Sequence, residues 1–127
     1  MRNIEASIQK ALVHWCKTHE CSVLHNIFHV PNGGLRDAIT ARHLKDQGVL
    51  AGVPDLCLPL PGGVTLWIEL KPMTGKLSTK QEALHEKWRA MGHWVVVAYG
   101  YIAAQEIFKE VVEKYGKVVN ENNQIQS

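Results

Sequence analysis

Residues 55–71 read Asp-Leu-Cys-Leu-Pro-Leu-Pro-Gly-Gly-Val-Thr-Leu-Trp-Ile-Glu-Leu-Lys, two apolar runs separated by Pro61-Gly62-Gly63. Such a break is a hairpin signal, so Asp55 to Leu60 and Val64 to Lys71 are predicted to pair as antiparallel strands. With the turn centred on Gly62, Leu58 faces Leu66, Leu56 faces Ile68 and Asp55 faces Glu69. Side chains alternate across a strand, which puts Leu56, Leu58, Leu60, Leu66, Ile68 and Leu70 on one face. Asp55, Cys57, Trp67, Glu69 and Lys71 share the other. A slip of one residue would break this agreement between the two apolar rows.

The flanking segments supply helices and one more buried strand. Ile4, Ile8, Leu12 and Trp15 recur at helical spacing and predict a first helix from about Ile4 to Thr18. Val23 to Val30 is short, rich in β-branched and aromatic residues and stopped by Pro31-Asn32-Gly33-Gly34, which predicts a strand and a turn. A short, partly exposed helix is expected from Arg36 to Gln47, with Gly48 as its stop. Ser78-Thr79-Lys80-Gln81 has the form of a capping box, opening a helix to about Met91 with Leu84, Trp88 and Met91 as its apolar face. Trp94 to Tyr99 then reads as an interior strand, completing a β-α-β crossover. Ile102, Ile107, Val111, Val112 and Tyr115 mark a last helix, and residues 116–127 form a polar tail expected to fray. The sum is a single α/β domain over 1–127, with its core at about 4–115 and a mixed sheet flanked by helices in the order α-β-α-β-β-α-β-α.

The chain has 127 residues, 46% apolar and 20% charged, enough for one core and too little for several domains. Trp94 to Ala104, a run without a charged or strongly polar side chain, is too short to cross a bilayer, so no membrane partner is expected. The N-terminus lacks the apolar segment of a secretory signal, and the three cysteines are an odd number. Both suit the cytoplasm. A net charge of +2 does not by itself announce a nucleic-acid binder.

Asp55, Glu69 and Lys71 form the sharpest candidate site. Two carboxylates facing each other on adjacent strands repel unless a cation or proton lies between them. A divalent metal satisfies them, and Mg²⁺ combines a few carboxylate oxygens with waters and a substrate phosphate. Lys71 would then orient the attacking water or offset charge building on the phosphate. The bland alternative is an exposed strand face with Lys71 as a loose counter-ion.

Gly52-Val53-Pro54-Asp55, a thirteen-residue gap and Ile68-Glu69-Leu70-Lys71 together resemble the PD-(D/E)XK nuclease motif. Within that superfamily the wider frame resembles the virus-type replication-repair nuclease domain, VRR-NUC, over about residues 4 to 99. That frame is Glu5 on a first helix, Asn32-Gly33-Gly34, Gly48 through Asp55, Glu69-Leu70-Lys71, Gly75-Lys76-Leu77-Ser78 and Gln81. The resemblance implies a restriction-endonuclease-like fold. It implies metal-dependent hydrolysis of DNA phosphodiesters, leaving a 5′-phosphate and a 3′-hydroxyl, with Mg²⁺ replaceable by Mn²⁺. Asp55, Glu69 and the Leu70 carbonyl take the ligand positions, and Lys71 that of the catalytic lysine. Glu5 matches a glutamate that contacts the metal or its water, although the helix dipole also favours a Glu there. Gln81 matches a glutamine near the active site, although the capping box explains it equally well. Small stand-alone members are typical of phages and resemble Holliday-junction resolvases. They imply branched DNA as substrate, a homodimer that cuts two strands, and the host cytoplasm as location.

Arg36, Lys76 and Lys80, with Ser78 and the bare amides of Asn32-Gly33-Gly34, suggest a DNA track; a solvated turn and helix start is the simpler account of each. His14, Cys16, His19 and Cys21 look like a zinc cluster, but His14 and Cys16 project some 200° apart on a continuous helix and cannot share an ion. His25-Asn26 with His29 faintly suggests an HNH nuclease in the wrong order, leaving at most a minor role beside the site. Gly75-Lys76 fails the phosphate-loop pattern, since Leu70 and Leu77 occupy its required positions. Two other functions stay open: a catalytically silent DNA-binding or assembly module, and a hydrolase of small phosphate esters with a closed apolar pocket.

Overall fold

The hairpin forms in the predicted register. In the computed structural model Leu56 pairs with Ile68, Cys57 with Trp67, Leu58 with Leu66 and Pro59 with Thr65. The structure describes residues 2–31 and 38–126, and the side chains of residues 5–31 and 38–116. Along the chain come α1 (Arg2–Thr18), a short 3-10 helix (Ser22–Asn26), β1 (Phe28–His29) and α2 (Ala38–Asp46). They are followed by β2 (Leu56–Pro59), β3 (Thr65–Lys71), α3 (Thr79–Ala90), β4 (Trp94–Tyr99) and α4 (Tyr101–Gln126). The strands lie side by side in the order β1-β2-β3-β4. All neighbours are antiparallel except β3 and β4, which run parallel because α3 carries the chain back across the sheet. This is the α/β architecture with a mixed sheet that the sequence predicts.

Strand alternation separates the two faces of the sheet as the parity of the sequence requires. Leu56, Leu58, Leu60, Leu66, Ile68 and Leu70 are all buried on one face, joined there by Ala98 of β4. Leu12 and Cys16 of α1, Val23, Leu24 and Ile27 around the 3-10 helix, and Ala104, Phe108 and Val111 of α4 pack onto that face. The other face carries Cys57, Trp67 and Glu69, and α3 lies over it, with the Trp67 and Trp88 rings 4.7 Å apart. One face therefore supplies the core, and the other holds polar groups under a single helix.

Four expectations are corrected. Trp94 to Tyr99 is not an interior strand: among the described residues β4 lies at one edge of the sheet and pairs only with β3. Val23 to Val30 is mostly not a strand: Ser22–Asn26 is a 3-10 helix, and only Phe28–His29 pairs with β2. Val23, Leu24 and Ile27 are all buried, and their spacing puts one turn of helix against α1 and α4. The Lys17 ammonium donates to the carbonyls of His25 and Ile27 and holds this turn to the end of α1. The last helix also continues past residue 115, to Gln126. At Gly116 it passes so close to Cys21 that an added Cβ would lie 3.4 Å from the Cys21 sulfur, so a small residue suits the crossing. Finally, Met91 is 65% exposed, while His85 is fully buried. The inward face of α3 therefore runs through His85 and Trp88, and the chain turns away at Met91. As predicted, α2 is peripheral, with none of its residues buried.

No helix among the described residues is long and apolar enough to cross a membrane.

Phe108 is the bulkiest fully buried side chain and joins α4 to the strand face. Its replacement by Ala removes a large apolar surface and leaves a cavity, so Phe108→Ala should lower the unfolding free energy by about 3–5 kcal/mol in urea titrations.

Candidate active site

A proline determines how the hairpin ends. Leu60 N–H donates to the Val64 carbonyl at 2.9 Å, so the even-numbered residues make the hydrogen-bonded pairs: Leu60 with Val64, Leu58 with Leu66, Leu56 with Ile68. The next rung would join Leu70 to Pro54, and proline has no N–H to donate. That removes the donor for the Leu70 C=O; the Leu70 N–H, which the rung would have given to the Pro54 carbonyl, is accepted instead by Asp55 Oδ2 at 2.8 Å. In a hydrogen-bonded pair the N–H and C=O of one residue face the same edge, so the Leu70 carbonyl also faces the edge where Asp55 sits. The Asp55 carbonyl is held by Val30 N–H at 2.8 Å and meets His29 Nδ1 at 2.9 Å. Both strands flanking Asp55 thus fix its position.

Glu69 follows one residue before Leu70 and is only 4% exposed. Its carboxyl is pushed up to about 9, first by burial, then by a hydrogen bond to Asp55 and by the Asp55 charge. Glu5 on α1 is close enough to add to this repulsion, and the Lys71 ammonium opposes it. The geometry therefore brings Asp55, Glu69, Lys71 and Glu5 into one electrostatic neighbourhood. It is a site where negative charge accumulates beyond what Lys71 balances, at the open end of a strand pair.

Sequence reasoning missed the residue that covers Glu69. His85, from α3, is fully buried with its Nε2 3.8 Å from Glu69 Oε1. Neither ring nitrogen, nor Glu69 Oε1, has a hydrogen-bond partner among the described residues. Burial, reinforced by the Arg89 and Lys71 charges, lowers the His85 pKa and keeps the ring neutral. The signal was present in the spacing: Gln81, His85 and Trp88 lie at helical intervals of four and three, on the face that Trp88 turns to the sheet.

The capping box forms in full. Ser78 Oγ accepts the Gln81 N–H at 3.1 Å, and Gln81 Oε1 accepts the Ser78 N–H at 2.8 Å. The α3 start is brought against the loop that leads into Asp55. Gly52 has φ +90°, and a Cβ there would lie 2.9 Å from the Lys80 carbonyl oxygen and 3.3 Å from Gln81 Cα. Only glycine combines that backbone conformation with such close approach. Lys76, Ser78 and Lys80 are all exposed around this helix start. Asn32, Gly33, Gly34 and Arg36 lie outside the described residues.

The competing constellations find ordinary roles. His19 Nδ1 accepts the Cys21 N–H at 2.9 Å, and burial pushes the Cys16 thiol up to about 12, so neither is free to hold zinc. His25 Nε2 lies 2.7 Å from the His19 carbonyl. An apolar groove of about 650 Å³ between α2 and α3 is lined by residues such as Leu44, Val49, Leu50 and Leu84 and includes none of Asp55, Glu69 or Lys71. It offers no closed pocket to the carboxylates.

Among the described residues, no three His, Cys, Asp or Glu side chains stand together as a metal cage. Two carboxylates and a backbone carbonyl are nevertheless the hard oxygen donors that a cation retaining much of its water requires. Glu69 Oε1 is buried with no partner among the described residues, so the fold alone does not satisfy this carboxyl.

Two solved structures share this architecture. One, described as a VRR_NUC domain protein, superposes with a TM-score of 0.74 and 24% identity, covering 87% of this chain and 88% of its own. A second, described as a VRR_NUC domain, has a TM-score of 0.56 and 21% identity, covering 83% of this chain and 94% of its own. No protein-family model matches the sequence, and no curated protein matches it. The chain has the α/β fold of these VRR_NUC domain structures.

Two outcomes follow from the site's geometry. Gly52→Ala forces a strained φ and a backbone collision, and should cost about 1–3 kcal/mol in denaturant titration. Because Glu69 is pushed up to about 9 from 4.5, the metal-free folded state holds a proton that the unfolded chain releases. Wild type in EDTA should therefore lose stability as pH rises through that window. Glu69→Gln cannot ionise, so its melting temperature should gain on wild type from pH 5 to pH 9; parallel melting curves would contradict the assignment.

Proposed function

We propose that the chain is a metal-dependent endonuclease that hydrolyses DNA phosphodiester bonds. The observation that carries this reading is the pairing of Asp55 and Glu69 where the β2–β3 ladder ends, with Lys71 on the same strand face. Such crowding destabilises a fold and has a purpose when a divalent cation relieves it. Asp55, Glu69 and the Leu70 carbonyl would hold Mg²⁺, with Mn²⁺ as a substitute and Glu5 in reach of its waters. Held there, such a cation would polarise the phosphate and lower the pKa of a coordinated water.

The chain's own residues do the rest. The Leu70 N–H fixes the Asp55 carboxylate, and Lys71 aligns the water for in-line attack and offsets charge on the phosphate oxygens. Gln81 stands at the α3 start beside the loop leading to Asp55, where its side chain supports the helix end facing the substrate. Lys76, Lys80 and Ser78, with Asn32, Gly33, Gly34 and Arg36, would form the track for the sugar-phosphate backbone.

The substrate proposed is branched DNA of the Holliday-junction type, formed in phage replication, recombination or repair. A homodimer would place one such site on each of two strands.

The reading is tested with matched linear, flapped and four-way-junction DNA incubated with Mg²⁺, Mn²⁺ or EDTA. Wild type should cut only with metal, and Asp55→Asn and Lys71→Ala should each reduce cleavage by at least about 100-fold while keeping the wild-type circular dichroism spectrum. Full activity in either variant removes the mechanism. No cutting by folded wild type on any substrate would favour a silent DNA-binding module.

A further inference from the structure

A neutral imidazole always carries one N–H, and at His85 that ring is fully buried with both nitrogens lacking a partner among the described residues. A leucine would fill the same space without burying an unmatched polar group, so packing alone does not account for a histidine there. The groups whose charges act on the ring are Arg89 on its own helix, Lys71, and Asp55 across the sheet. The polar atom facing Nε2 at short range is Glu69 Oε1, at 3.8 Å and equally unpartnered. That distance lies beyond the usual hydrogen-bond range of about 2.7–3.2 Å, so the bond requires the carboxylate to rotate toward the ring. The capping box at Ser78 and the contact between Trp88 and Trp67 hold α3 against the sheet on both sides of His85, whose ring is fully buried between them.

We propose that His85 is a positioning residue for Glu69: its Nε2–H donates to Oε1 when the carboxylate turns its other oxygen to the cation shared with Asp55. The role rests on the nuclease reading only in requiring a divalent cation at Glu69. A hydrogen bond from behind fixes a metal-binding carboxylate, and loss of such a bond typically weakens metal binding by about 10- to 100-fold.

The test measures metal binding directly, by calorimetric titration of Mn²⁺ into wild type, His85→Leu and His85→Gln without DNA. His85→Leu should melt in EDTA at or above the wild-type temperature, yet bind Mn²⁺ about 10- to 100-fold more weakly. His85→Gln, which retains a donor, should stay within about threefold of wild type. Wild-type affinity in a folded His85→Leu overturns the proposal while leaving the cation site intact, whereas no Mn²⁺ binding by wild type overturns the cation site and the positioning role with it. A measurement on wild type alone stands apart from whether the variants fold: two-bond proton–nitrogen correlations should show the His85 ring protonated at Nε2. The Nδ1-protonated tautomer would overturn the proposal.

Discussion

Where β2 meets β3, the hydrogen-bonded ladder reaches a residue that has no hydrogen to donate. Pro54 has no N–H for the Leu70 C=O, and the Asp55 side chain takes the Leu70 N–H that the rung would have given to the Pro54 carbonyl, at 2.8 Å. That substitution turns a carboxylate toward the strand edge, places it beside Glu69 and keeps the Leu70 carbonyl on the same side. β1 completes the arrangement, because the Val30 N–H anchors the Asp55 backbone at 2.8 Å. A two-residue strand contributes little to the core. Its importance lies in fixing the carboxylate's backbone.

The two faces of the sheet carry opposite thermodynamic burdens. The face of Leu56, Leu58, Leu66 and Ile68 is fully buried against α1 and α4, and supplies the apolar area on which folding depends. The face of Glu69 buries a carboxylate next to another and a histidine with no partner among the described residues, each unfavourable on its own. Buried polar groups arranged in this way lower stability and are tolerated where another face of the same sheet compensates. The separation follows from the period of two along β3: Leu66, Ile68 and Leu70 point one way, Trp67, Glu69 and Lys71 the other.

Much of this was legible in local sequence. The hairpin register could be read because two apolar rows and a Pro-Gly-Gly turn agree on one alignment, and the capping box because its two hydrogen bonds join residues only three apart. Val23 to Val30 misled because β-branched composition speaks for a strand, whereas burial of Val23, Leu24 and Ile27 against α1 and α4 favours a helical turn. The continuation of α4 to Gln126 was not read because no apolar pattern within that polar segment announces it. His85 escaped notice for a different reason. A lone histidine on a helix face has no chemical meaning until the strand opposite is known.

The sequence by itself determined the alternation that sorts β2 and β3 into a core face and a polar face, the proline that ends their ladder, and the cap that starts α3. These are local properties, set by residues within a few positions of one another or mirrored about a single turn. Only the tertiary structure decided how deeply Glu69 is buried, that Glu5 acts on it from α1, and that Gly52 lets α3 close against the loop before Asp55. It alone brought His85 to 3.8 Å from Glu69, because desolvation and close approach arise from segments distant in the chain meeting across a packed sheet.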